Sequence, residues 1–253
     1  MEMVLLTALG IGGATVAGAL LGFVFKKPSQ RMNDMILSFA AGIMLCAAII
    51  GLILPSLNSI DSPLIIIISV LGIVSGALCM HFIDMLVPHL HKMTGVDREL
   101  HPEKNEQLSK VLLFVLAIAI HNLPEGIAAG VSFGNDNVSG ALSVALGIAL
   151  QNIPEGMVII APMLASGIKP GRTFIIAIST GLVEVVGTLL GYLSVSTASA
   201  ILPFALAFAG GTMLYVISDE MIPETHSHGN ECAATYSLIA GFAVMLIFDF
   251  LIG

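Results

Sequence analysis

His121-Asn122-Leu123-Pro124-Glu125-Gly126 and Gln151-Asn152-Ile153-Pro154-Glu155-Gly156 are one six-residue block written twice, each in the middle of an apolar run long enough to span a bilayer. Ionisable side chains at that depth are expensive and mark function. Helical spacing sets His121 one turn from Glu125 and Gln151 one turn from Glu155. Pro124 and Pro154 have no N–H to give to the carbonyls of Ile120 and Leu150, and a freed carbonyl at this depth needs protein or a hydrated cavity beside it. Gly126 and Gly156 permit close helix approach.

The surrounding chain has the composition of a bilayer protein. Of its 253 residues 57% are hydrophobic and 10% charged, too little polar surface for a water-soluble globule. At about 20 residues per span the length holds seven or eight helices in one transmembrane domain covering 1–253. Hydropathy and turn residues predict eight, at 3–25, 34–55, 63–88, 109–132, 139–166, 171–194, 200–222 and 233–252. The start Met1-Glu2-Met3-Val4 lacks the basic flank of a secretory signal, so the first run is expected to stay in the membrane. Cys46 and Cys79 fall in apolar runs and Cys232 in a polar loop, which is no disulfide framework. A net charge of −8 with scattered basic residues argues against nucleic acid as a partner.

Lysine and arginine placement tests the count independently. Lys26, Lys27 and Arg31 follow the first helix, Lys92, Arg98, Lys104 and Lys110 the third, and Lys169 and Arg172 the fifth. All nine basic residues then lie on one side, the cytoplasmic one, and both termini lie outside. The longest loop, about 90–108 with His91 and His101, separates helices one to three from four to eight. Helices four and five run antiparallel with the related blocks, the arrangement of an inverted repeat around a midplane site.

Imidazole with carboxylate suits zinc and other first-row divalent ions, and Asn122, Gln151 and Asn152 offer weaker carbonyl oxygens. Neither block carries a thiolate, which disfavours copper(I). Weak amide ligands suit a site that has to release its ion. Glu184, in the sixth helix, is a third midplane carboxylate with no basic neighbour in the membrane. Three such groups cannot all stay ionised without a cation, so metal and protons are expected to compete. Asp34, Asp84, Asp219 and Glu220 gather at the cytoplasmic boundary and could line an exit path toward His226 and His228. Asp34 equally suits a helix N-cap, the other boundary acids suit solvation, and Met44 and Met213 suit core filling as well as soft ligation.

The metalloprotease motif H-E-x-x-H does not occur, so the alternatives to a divalent-cation transporter are a membrane metal sensor and a proton-conducting channel using the same carboxylates. With the blocks, the eight helices and the cytoplasmic loop in view, the chain resembles the ZIP (Zrt/Irt-like) divalent-metal transporters, most closely their GufA-like branch. The resemblance implies a metal site on His121, Asn122, Glu125, Gln151, Asn152 and Glu155, with Glu184 matching a helix-six glutamate that completes a two-metal site in some members. It further implies a pathway along Ser38–Met44 and Ser218–Glu224, import toward the cytoplasm by one helix bundle moving against another, and a homodimer. Zinc is the expected cargo, with iron, manganese or cadmium as further candidates, no cofactor, and a bacterial inner membrane as the location. Asn152 and Gln151 stand where some relatives have aspartate or histidine, which weakens the second metal position.

Overall fold

The computed structural model describes residues 1–25, 29–59, 62–93, 119–134, 137–165, 167–197 and 199–252. These form α1 (Glu2–Val24), α2 (Gln30–Leu57), α3 (Ile65–Met93), α4 (119–132), α5 (Val138–Ala165), α6 (Pro170–Thr197), α7 (Leu202–Thr225) and α8 (Glu231–Ile252). Seven of them are long and apolar enough to cross a membrane; of the span expected at 109–132, the described residues begin at 119. The expected loop at 90–108, with His101, lies for the most part outside the described residues, as does the side chain of Asp84. Large apolar side chains such as Leu9, Val70, Leu182 and Phe250 point outward, as helices do when lipid replaces water around them.

Among the described residues most helix boundaries fall within three residues of expectation; α3 runs on to Met93, five past its expected end, and the start of α2 departs informatively. The second helix begins at Gln30, not Asp34: Ser29 is its N-cap, accepting a hydrogen bond from the Met32 amide at 3.2 Å. Asp34 sits a turn inside and is buried, so it does not cap the helix. Its run of polar neighbours reads as loop in hydropathy, yet tertiary partners described below satisfy it. Cys232 likewise lies in the first turn of α8 and not in a loop, and all three cysteines are free.

α5 runs without interruption through Pro154 and Pro162. In α2 and α7 the chain instead widens into π-helical segments, Ala47–Ile53 and Ile217–Met221, each followed by a proline two residues on, Pro55 and Pro223. The amides of Leu54 and Ile222 reach back five residues, to the carbonyls of Ile49 and Ile217. The wider turn makes room for a ring that would strike a carbonyl in α-register. The two helices also share a stretch, Phe39-Ala40-Ala41-Gly42-Ile43-Met44-Leu45 against Phe208-Ala209-Gly210-Gly211-Thr212-Met213-Leu214.

Close packing divides the helices into two sets. α1 packs on α5 and α6, α2 on α8, and α3 on α7. A methyl group on Gly18 would strike the Ile153 carbonyl, one on Gly156 that of Thr15, one on Gly126 that of Glu184 and one on Gly187 that of Leu123. These seams lock α1, α4, α5 and α6 backbone to backbone. In the other set Gly42 faces the Leu238 carbonyl, Gly241 that of Phe39, Gly76 that of Phe208 and Gly211 that of Ile73. Between the sets the glycines meet side chains instead: Gly51 faces Val144, and Gly147 faces Met245 and Ala47.

Candidate metal centre

Both blocks lie in helix, so each presents its polar residues to the interior where α4, α5 and α6 meet. Glu125, Asn122, Gln151, Asn152 and Glu184 are all at most 1% exposed, while His121 and Glu155 are 7% and 9% exposed. The glycine ending each block lets the neighbouring backbone in: α6 approaches α4 at Gly126, and α1 approaches α5 at Gly156.

Glu184 is the hub. Its Oε1 accepts from Thr15 Oγ1 at 2.7 Å and from Asn122 Nδ2 at 2.5 Å, and its Oε2 accepts from Asn152 Nδ2 at 2.5 Å. Each amide nitrogen also reaches a backbone carbonyl, Asn122 that of Thr180 at 3.3 Å and Asn152 that of Ile11 at 3.4 Å. Buried atoms left without a hydrogen-bond partner among the described residues include both carboxylate oxygens of Glu125, the amide of Gln151, and Oδ1 of Asn122 and of Asn152. An unpaired buried polar atom costs about 1–3 kcal/mol, so this concentration within two short blocks calls for an occupant.

His121 turns toward α7, its Nε2 2.7 Å from Glu220 Oε1. With Glu155, Asp219, Glu220 and Glu224 it lines a cavity of about 450 Å³. The side chains are grouped but not closed around a point: among the described residues no three His, Cys, Asp or Glu converge closely enough to hold a metal ion. A transport site that has to take up and release its ion does not require that closure.

Asp219 and Glu220 both belong to the π-helical segment of α7. Asp34 accepts from Asn230 Nδ2 at 2.8 Å and Gln30 Nε2 at 3.0 Å, and lies 3.1 Å from His228 Nδ1. It thereby ties the start of α2 to the α7–α8 connection. His226 is engaged locally, Nδ1 2.9 Å from the Ile222 carbonyl and Nε2 3.1 Å from Thr235 Oγ1. Met44 and Met213 are fully buried in the main hydrophobic core. Thr15 was not singled out by the sequence, because a threonine in the small-residue run Gly12–Gly18 carries no repeat or charge to mark it. Asn230 was missed for the same reason.

Known proteins match this sequence over nearly its whole length. The family model described as ZIP Zinc transporter matches residues 87–249. The chain is 40% identical to "Zinc transporter GufA" of Myxococcus xanthus over 254 residues, covering 98% of each. It is 39% identical to "Zinc transporter ZIPB" of Bordetella bronchiseptica, over 95% of this chain and 78% of that one. "Zinc transporter ZIP11" of Homo sapiens is 30% identical over 94% of this chain and 93% of its own. The chain therefore belongs to the ZIP zinc transporter family, whose members are multi-pass membrane transporters with zinc as the ion they carry, not enzymes.

Proposed function

We propose that this protein carries zinc, with iron, manganese and cadmium as further candidate cargo, into the cytoplasm through a site on α4, α5 and α6. His121, Glu125 and Glu155 are the primary ligands, Gln151, Asn122 and Asn152 tune affinity through carbonyl oxygens, and Glu184 stands behind them as balancing charge. The observation that carries this function is the set of buried, unpartnered donor atoms on the two blocks. A divalent cation is the occupant that satisfies several oxygens at once, and an imidazole beside carboxylates favours a first-row ion.

The chain is read as a single transporter domain of eight spans with both termini outside, in a bacterial inner membrane, a location that its likeness to zinc transporters of two bacteria supports. An inverted repeat is supported by paired correspondences: Gly18 at the Ile153 carbonyl matches Gly187 at that of Leu123, Gly156 at Thr15 matches Gly126 at Glu184, and α2 and α7 share a stretch and a π segment. The cavity shared by His121, Glu155 and Glu220 leads the ion toward Asp219, Glu224 and, at the loop, the Asp34 and His228 pair, with Asp84 on the same side. The two glycine-locked helix sets are the bodies that move against each other, and the protein works as a homodimer.

Zinc uptake into proteoliposomes containing a pH dye tests this. Saturable entry by wild type that is abolished in Glu125→Ala or Glu155→Ala, with both variants still inserted, is the expected result. Normal uptake by either variant removes the site. Binding in detergent without any wild-type flux would replace transport by sensing, and a dye response without metal entry would replace it by proton conduction.

A further inference from the structure

Four helices send something to Glu184, and none of it is metal chemistry. α1 gives the Thr15 hydroxyl, α4 the Asn122 amide, α5 the Asn152 amide, and α6 the carboxylate itself, which is fully buried. Thr15 and Asn122 share Oε1 while Asn152 takes Oε2, so both carboxylate oxygens are already engaged by donors. The consequence falls on the asparagines. A primary amide carries its N–H group and its carbonyl on opposite sides of one carbon, so fixing the nitrogen fixes where the oxygen points. Both Asn122 Oδ1 and Asn152 Oδ1 are buried and unpartnered, as are the Glu125 oxygens one turn along. Without an anchor either amide could turn over and present its N–H group to an incoming cation, which would repel it.

We infer that Glu184 is a positioning residue: it holds the amide nitrogens of Asn122 and Asn152 so that their carbonyl oxygens face the transported ion, and it does not itself ligate a metal. The site then takes one divalent cation at a time. This rests on the site proposed above. Carboxylates behind a metal's direct ligands commonly act by orienting them, and their loss weakens binding substantially.

Glu184→Gln is the direct test, because a glutamine keeps the volume but places an N–H group against one of two asparagine N–H groups and forces an amide to turn. Zinc affinity in detergent is expected to fall about 10-fold. In an Asn122→Ala/Asn152→Ala background the same change is expected to add no more than about 3-fold, the effect of the lost balancing charge alone, since the amides it positions are missing. A full further loss in that background overturns the inference, as does loss of one of two bound zinc ions on Glu184→Gln. X-ray absorption on zinc-loaded wild type needs no variant to fold: no metal–metal distance of about 3.5–4 Å is expected, and finding one overturns the one-ion site. Glu155→Ala run alongside separates the two levels. If it binds zinc like wild type the site itself is wrong, whereas normal Glu184→Gln binding with a defective Glu155→Ala overturns only the positioning role.

Discussion

Gly156→Ala isolates the seam that brings α1 to the second block. A methyl group at 156 would strike the Thr15 carbonyl oxygen and stand 2.9 Å from the Ala19 amide nitrogen. Both obstacles are backbone, so no rotamer change relieves them, and α1 has to withdraw by about 1 Å to restore van der Waals separation. Thr15 moves with it. Its hydroxyl, 2.7 Å from Glu184, would end near 3.7 Å, outside hydrogen-bond range. Overpacking of this kind costs about 1–3 kcal/mol, and losing a hydrogen bond to a charged group about 1.5–3 kcal/mol more. The sum, about 2.5–6 kcal/mol, corresponds to a fall in Tm of about 5–24 °C for a chain of this size. Gly13→Ala is the matched control, since a methyl group there meets nothing within 4 Å, and its gain in helix propensity is up to about 1 kcal/mol. Chromatographic thermal stability in detergent, together with zinc uptake, reads both. Equal stability and uptake of the two variants would refute the seam.

Two other contacts give opposite signs. At the proposed site zinc would displace Glu220 from His121 Nε2, so Glu220→Gln is expected to tighten zinc binding about 10-fold, the equivalent of a charged hydrogen bond, and to slow release; weaker binding would instead make Glu220 the group that orients His121. Asp34→Ala removes the acceptor shared by Gln30 and Asn230 and the neighbour of His228. Amide hydrogen exchange at 227–230 is expected to quicken about 10-fold, and unchanged exchange would show that this connection is held by other contacts.

The seven helices long and apolar enough to span were legible in the sequence because hydropathy in a bilayer leaves little ambiguity about what spans. The start of α2 was not, because Arg31, Asn33 and Asp34 look like loop until Asn230 and His228, nearly two hundred positions away, are brought beside Asp34. The two blocks announced a buried polar site by duplication alone. What they could not announce was role: an asparagine side chain is donor and acceptor at once, and only the position of Glu184 decides that the nitrogens of Asn122 and Asn152 turn inward to it. The partnership of His121 with Glu220 was hidden similarly, since nothing in two remote apolar runs fixes which faces meet. The π segments left a trace that hydropathy ignores, a proline inside each run at 55 and 223.

Where the two helix sets touch, the materials differ from those inside each set. Within a set, carbonyl oxygens sit in glycine notches, a fit that one residue of sliding would destroy. Across the boundary the glycines face the Val144 methyls, the Met245 thioether and the Ala47 methyl, soft surfaces that offer shallow barriers to displacement, and polar contacts, His121 with Glu220 and Ser143 with Asp249, supply the specific ties. Friction in this molecule is therefore unevenly distributed. Residues on the slippery boundary can vary in shape and tune the speed of the cycle, while residues in the notches have no such latitude, and a change there is felt as loss of the protein and not as a change of pace.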